Sequence, residues 1–241
     1  MKAWVIFERI EERNLDFVKK YRTAAASSVA EHHGKYLTVS FQNPVVEGPG
    51  PIAGPKMIAV KEFVSRQAAE RWFDSPEYKA ARKMREGGVT NRTMIIDVSP
   101  PSYALDQQSG TIPDIDETSV PAWVIFERLE ERSLDFVPEY RKVAAASVAR
   151  FGGRYQTVSF ENPVIEGPDV GKGPNMISII GFSSRKLASA WFSSPEYAQA
   201  IEIRRTGVTN RAIIIDVIPP EYALKGPGKL TFYLHERSFC A

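Results

Sequence analysis

The residues of this chain that could do chemistry begin with carboxylates at the ends of apolar runs. Glu8 follows Trp4-Val-Ile-Phe7, and Glu127 follows Trp123-Val-Ile-Phe126. A carboxyl so placed can face a pocket between a sheet and its covering helices and act as a general base, or it can pair with a nearby arginine. Tyr36 and Tyr155 open later apolar stretches. Their hydroxyls can hydrogen-bond a substrate oxygen or be satisfied within a core. Arg85 and Arg204, together with Asn91-Arg92 and Asn210-Arg211, could bind a carboxylate or enolate oxygen, the alternative being helix capping and surface pairing. Glu47 and Glu166, in stretches bounded by proline and glycine, complete the substrate-binding candidates. His33 could serve as base, electrophile or axial ligand because imidazole titrates nearest neutrality. It could equally be an exposed residue at a helix C-terminus, interacting with the helix dipole. No second ligand clusters with it, so no metal site is expected and no built-in cofactor is called for.

Every one of these residues except His33 occurs twice, 119 positions apart. Ala3-Trp-Val-Ile-Phe-Glu-Arg9 returns as Ala122-Trp-Val-Ile-Phe-Glu-Arg128, and the match runs without a gap to Tyr103-Ala-Leu105 against Tyr222-Ala-Leu224. Roughly 60% of the aligned positions are identical, far beyond what shared composition produces, so the chain is a tandem duplication. The expected organisation is a first repeat over 1–105, a linker over 106–121, a second repeat over 122–225 and a tail over 226–241. The linker reading rests on a polar, proline-containing stretch with hardly any apolar residue.

Four strands are predicted in the first copy, at about Ala3–Arg9, Lys35–Phe41, Lys56–Phe63 and Thr93–Val98, each short, β-branched or aromatic, and bounded by turn-formers. Between the first two, Val18, Tyr21, Ala25, Val29 and His32 make one apolar stripe at helical spacing, with Gly34 as the stop. Asp16 and Asp135 are the candidate N-caps of this helix. Ser65 and Ser184 can cap a further helix, which Ser75-Pro76-Glu77 and Ser194-Pro195-Glu196 restart. The order β-α-β-β-α-β is the ferredoxin-like unit, with helices on one sheet face. Both faces of Trp4-Val5-Ile6-Phe7 and Met94-Ile95-Ile96 are nevertheless apolar, so the helix-free face needs a cover. The other copy is the obvious one. The fold expected is therefore α+β: two ferredoxin-like βαββαβ repeats forming an intramolecular, pseudo-dimeric α/β barrel. The loops Asn43–Pro55 and Asn162–Pro174 are long for hairpin connections and could be lids or arms gripping the other copy.

A net charge of +2, from 31 basic and 29 acidic residues, gives no field that would recruit nucleic acid or an anionic membrane. No run approaches a membrane span, no secretory leader is recognisable at Met1, and the single cysteine, Cys240, allows no internal disulfide. A cytoplasmic protein is expected. Gly167-Pro-Asp-Val-Gly171-Lys172-Gly173 has the wrong spacing for a phosphate loop and connects two predicted strands, and neither a dinucleotide fingerprint nor a nucleophile elbow is present.

Gly153-Arg154-Tyr155, Trp191-Phe-Ser-Ser-Pro-Glu-Tyr197 followed by Arg204, and the Tyr140-Arg141 pair resemble the domain-of-unknown-function family 1330 of the dimeric α/β-barrel superfamily. The resemblance covers about nine-tenths of the chain and implies a subunit that pairs through its sheet. That superfamily includes cofactor-free monooxygenases, small-ring isomerases, cyclases and some haem enzymes, and membership fixes no single reaction. Copy 1 departs from the family at His33-Gly34, where copy 2 keeps Gly152-Gly153. The functional expectation is a small-molecule enzyme moving protons on a hydrophobic, oxygenated substrate without a built-in cofactor. The alternatives are a non-catalytic ligand-binding or assembly module and, more weakly, haem or metal binding at His33. The expected partners are a small-molecule substrate and the internal pseudo-dimer, with a further homodimer open.

Overall fold

Short β-branched segments separated by two helical stretches assemble, in the computed structural model, into the same unit twice; residues 1–50, 52–105 and 119–223 are described. The first unit contains β1 (Ala3–Glu12), α1 (Val18–Glu31), β2 (Lys35–Ser40), β3 (Val45–Glu47), β4 (Met57–Phe63), α2 (Arg66–Asp74), α3 (Pro76–Met84), β5 (Val89–Asp97) and a single turn, α4 (Ser102–Leu105). The second contains β6 (Ala122–Glu131), α5 (Val137–Arg150), β7 (Arg154–Ser159), β8 (Val164–Glu166), β9 (Met176–Phe182), α6 (Arg185–Phe192), α7 (Pro195–Arg204), β10 (Val208–Asp216) and a 3-10 turn, Glu221–Ala223. Most of the expected linker and the expected tail, with His235 and Cys240, lie outside the described residues.

Local chemistry sets most of the boundaries. Ser65 and Ser184 accept hydrogen bonds from the Ala68 and Leu187 amides, and Ser75 and Ser194 accept from Tyr78 and Tyr197, with proline next in the first turn. The expected caps Asp16 and Asp135 do not cap. The residues in that position are Phe17 and Phe136, without a side-chain bond, because an earlier turn takes the aspartates: their amides donate to Asn14 Oδ1 and Ser133 Oγ.

The sheets run in the order β2-β4-β1-β5-β8 and β3-β10-β6-β9-β7, antiparallel throughout. Helices cover one face of each sheet. The other faces meet and bury Trp4, Ile6, Met94 and Ile96 against Trp123, Ile125, Ile213 and Ile215. At their centre the Trp4 and Trp123 rings stack at 4.7 Å and 8°. The expected barrel takes the form of two separate five-stranded sheets. At one seam the Thr38 hydroxyl donates to the Asp216 carbonyl and accepts from the Ile218 amide. At the other, Thr157 donates to the Asp97 carbonyl and accepts from the Ser99 amide. One backbone bond also crosses each seam, from the Val39 amide to the Ile218 carbonyl and from the Val158 amide to the Ser99 carbonyl, but no strand pairing forms there among the described residues.

The long loops are arms. β3, from the first copy, pairs with β10 of the second, and β8 of the second pairs with β5 of the first. Asn43 and Asn162 tie the arm bases by donating to Ser40 and Pro55 and to Ser159 and Pro174. The arms cross so close to the opposite strand that a side chain would collide with it. A Cβ at Gly48 would lie 2.0 Å from the Asn210 carbonyl oxygen, one at Gly167 2.0 Å from that of Asn91, and both glycines have positive φ.

The stacked tryptophans give a direct test of the shared core. Trp4→Ala and Trp123→Ala each lower stability by about 3–5 kcal/mol. Because the rings touch, the double variant loses clearly less than the sum in urea denaturation; full additivity would show that they do not act together.

Candidate functional site

Strand alternation divides the candidate residues between two faces. On β1, Trp4, Ile6 and Glu8 point toward the other sheet, whereas Val5 and Phe7 point toward the helices of their own copy. Glu8 therefore meets Glu127 across the sheet–sheet interface, with Arg92 and Arg211 between them. Arg92 Nη1 lies 3.2 Å from Glu8 Oε2 and 2.7 Å from Glu127 Oε1, and Arg211 Nη1 lies 3.1 Å from both Glu8 oxygens and 3.2 Å from Glu127 Oε2. Burial and the Glu127 carboxylate raise the proton affinity of Glu8 above the usual carboxylate range, against the opposing pull of Arg211 and Arg92. These four residues form one buried, charge-balanced cluster joining the two copies.

A second group gathers between sheet and helices. In the first copy a cavity of about 30 Å³ is lined by Arg9, Tyr21, Tyr36, Arg85 and Asn91, among others, and by Tyr222, which arrives from the end of the second copy. It has room for about two water molecules. Tyr222 packs edge-on against Tyr36, with ring centroids 5.7 Å apart. Arg85 Nη2 donates to both oxygens of Glu166 at 2.7 Å, and Thr93 holds the same carboxylate. Glu166 belongs to the arm of the second copy, so each site draws residues from both halves of the chain. Three polar atoms here are buried without a partner: Arg9 Nε, Arg85 Nε and Asn91 Oδ1. Two donors and one acceptor left open beside a cavity suit an oxygen-bearing guest.

The second copy repeats the arrangement. Arg204 holds Glu47 through two nitrogens at 2.6 and 2.5 Å, Tyr155 packs edge-on against Tyr103, and Arg128 Nε, Arg204 Nε and Asn210 Oδ1 are again open. Thus Tyr36, Arg85, Asn91 and Glu166 come together, as do their counterparts Tyr155, Arg204, Asn210 and Glu47. Glu8, Arg92, Glu127 and Arg211 form the separate interface cluster. His33 joins neither. It is exposed just beyond α1 with φ 56°, where the second copy has Gly152 at φ 68°, and among the described residues no three histidine, cysteine, aspartate or glutamate side chains converge as metal ligands.

One residue of the pocket was not singled out by the sequence reading. Lys61 sits in the middle of β4 and faces the helices between Val5 and Tyr36. It is 2% exposed. Its Nζ lies 3.7 Å from the ring centre of Phe7, 4.8 Å from that of Tyr36 and 5.5 Å from that of Trp72. Among the described residues no carboxylate pairs with it within 4 Å; the arm glutamate nearby is held by Arg85 and Thr93. Burial pushes the Lys61 amine well below the usual lysine range, and Arg85 pushes it the same way, outweighing Glu166. Burial likewise drives the Tyr36 phenol well above its usual range, so it stays protonated and able to donate. The second copy has Ile180 in place of Lys61. A lysine inside an apolar strand, opposite an isoleucine in the other copy, was the signal in the sequence.

No curated protein matches the sequence. Among solved structures the fold is similar to that of an anthrone oxidase-like protein, at 15% identity and a TM-score of 0.53, covering 90% of this chain and 91% of that one. It is also similar to a mutant chlorite dismutase from Candidatus Nitrospira defluvii, at 9% identity and a TM-score of 0.51, again covering 90% and 91%. At such identities the likeness concerns the fold. The profile described as Domain of unknown function (DUF1330) matches residues 2–99 and again 121–218, and the chain therefore belongs to that family, carrying its domain twice.

Proposed function

We propose that this chain is a small-molecule enzyme whose working site is the sheet–helix pocket of the first copy, where Lys61 takes a proton from an apolar, oxygenated substrate. The observation that carries the reading is a buried amine, unpaired with any carboxylate among the described residues, beside a cavity whose lining residues include three with unpartnered polar atoms. An amine held below its usual range is neutral, and so basic, over more of the physiological pH span. Arg9 and Arg85 offer open N–H groups to a substrate oxygen on which charge develops, and Tyr36 offers a hydroxyl. Asn91 Oδ1 accepts from a second substrate group. Phe7, Tyr21 and Met57 supply the apolar wall. A substrate of more than a few atoms displaces the Tyr222 ring as it enters.

This arrangement suits isomerase, cyclase or oxygenase chemistry that begins with proton removal next to a carbonyl or phenol oxygen, with no built-in cofactor required in this reading. In the second copy the open polar atoms persist while Ile180 replaces the amine. The second copy, in the same reading, has no base and does not turn a substrate over. Glu8 and Glu127 then serve the interface, where their charges are matched by Arg92 and Arg211.

The stability of the protein should carry the mark of Lys61. Because its folded-state pKa is lowered, the unfolded chain binds more protons between that value and the ordinary lysine value of about 10.4, and stability rises with pH across that window. Lys61→Met is therefore expected to raise Tm at pH 7, by a margin that shrinks as pH approaches about 10; a margin independent of pH contradicts a neutral buried amine. Function is tested by following hydrogen–deuterium exchange by NMR at the α-carbon of a panel of small aromatic and alicyclic ketones. The wild-type chain should accelerate exchange in at least one of them, and Lys61→Met should slow it by roughly 100-fold or more, with Ile180→Val without effect. Exchange unchanged by Lys61→Met would rule out the proposed role.

A further inference from the structure

The geometry points to more than a base at Lys61: its amine forms a covalent imine with an aldehyde or ketone held in the first-copy pocket. This inference rests on the proposed use of that pocket and names its substrate class. Three features of the site carry it.

The first is the surroundings of the nitrogen. Phe7, Tyr36 and Trp72 rings surround Nζ, and no carboxylate stands within ion-pair reach among the described residues. An ammonium at this position would bury a charge that ring faces compensate only in part. The free amine, with its lone pair, is the form such an environment favours, and that form is the nucleophile. The Arg85 guanidinium on the same pocket adds to the preference. The second feature is placement. Lys61 lines the cavity beside Arg9 and Arg85, whose Nε–H groups are open. A carbonyl group entering the cavity therefore meets the amine and the two arginines along one wall. The third is asymmetry: Ile180 fills the same strand position in the second copy, so the fold itself needs no lysine there.

The step balances without a co-reactant. The amine lone pair attacks the carbonyl carbon, a C–N bond forms, and the C=O π pair moves to oxygen, which takes one proton from nitrogen to give the carbinolamine. The C–O bond then breaks, and the oxygen leaves as water with the second amine proton, producing C=N. When the imine is protonated, its positive charge rests over the Phe7 ring, which stabilises it.

The test is reductive trapping on the full-length chain. Propanal with limiting sodium cyanoborohydride is added at pH 7, and adducts are counted by intact mass and located by peptide mapping. Lys61 is expected to be alkylated at least 10-fold faster than any other lysine, at a rate that rises less steeply with pH than theirs, and Lys61→Met should lose the fast adduct. Mapping of the wild-type chain decides the question even if the variant does not fold. Adducts spread over exposed lysines, with Lys61 unmodified or no faster, would overturn the inference. If ketone exchange depends on Lys61 but no adduct forms there, the proton-transfer reading stands and the covalent one falls; if neither is seen, both fall.

Discussion

Each sheet of this protein is apolar on both faces but has helices for only one, and most of the structure follows from that imbalance. Burying the second face requires another sheet of the same kind, which the duplication places in the same chain. The contact is built from aliphatic side chains around the Trp4–Trp123 stack. It ends in the Glu8, Arg92, Glu127 and Arg211 cluster, where charges that would be costly alone are paired across the interface. Once the sheets are stacked, the arms can reach across, and Glu47 and Glu166 arrive opposite arginines of the other copy. The two residue groups are thus a consequence of the pairing: neither has its carboxylate or its outer tyrosine without the other half.

Much of the fold was legible in the sequence because it is written in local chemistry. Serine–proline–glutamate helix starts, β-branched strands and the ungapped repeat each act over a few residues, and the two-sided apolar strands announced the need for a partner. The arms were harder. The length of the Asn43–Pro55 and Asn162–Pro174 loops marked them as special, but a three-residue strand carries no periodicity, and the register of Val45–Glu47 is set by a partner strand more than 160 positions away. The helix caps failed for a similar reason, since Asn14 and Ser133 engage the aspartate amides in a turn one step earlier.

The site divides in the same way. Arg85, Asn91 and Tyr36 were recognisable by type and do meet, whereas Glu8 and Glu127, read either as pocket-facing bases on the helix side or as partners of an arginine, lie on the sheet side paired with Arg92 and Arg211. A one-residue alternation decides this: the strand continues the phase set by Trp4 and Ile6, both turned toward the other sheet. Lys61 escaped notice because a lysine in a strand is ordinarily solvated, and only the pleat of β4 turns it inward. Comparing the copies position by position exposes it. Many buried positions keep the same residue or exchange one aliphatic for another; a lysine facing an isoleucine at a buried position is a change of chemistry. His33 for Gly152 is a further departure, and it lies at an exposed helix end.

The chemistry proposed for the first-copy pocket turns on the protonation state of one side chain. A pH titration of the lysine side-chain 13Cε resonances in the full-length protein, with Lys61→Met used for assignment, measures it directly. One resonance, lost in the variant, should titrate well below the others, with the remainder grouped near the ordinary lysine value. A Lys61 signal that titrates with the surface lysines would mean that the amine is charged and solvated at neutral pH, and would contradict the central claim.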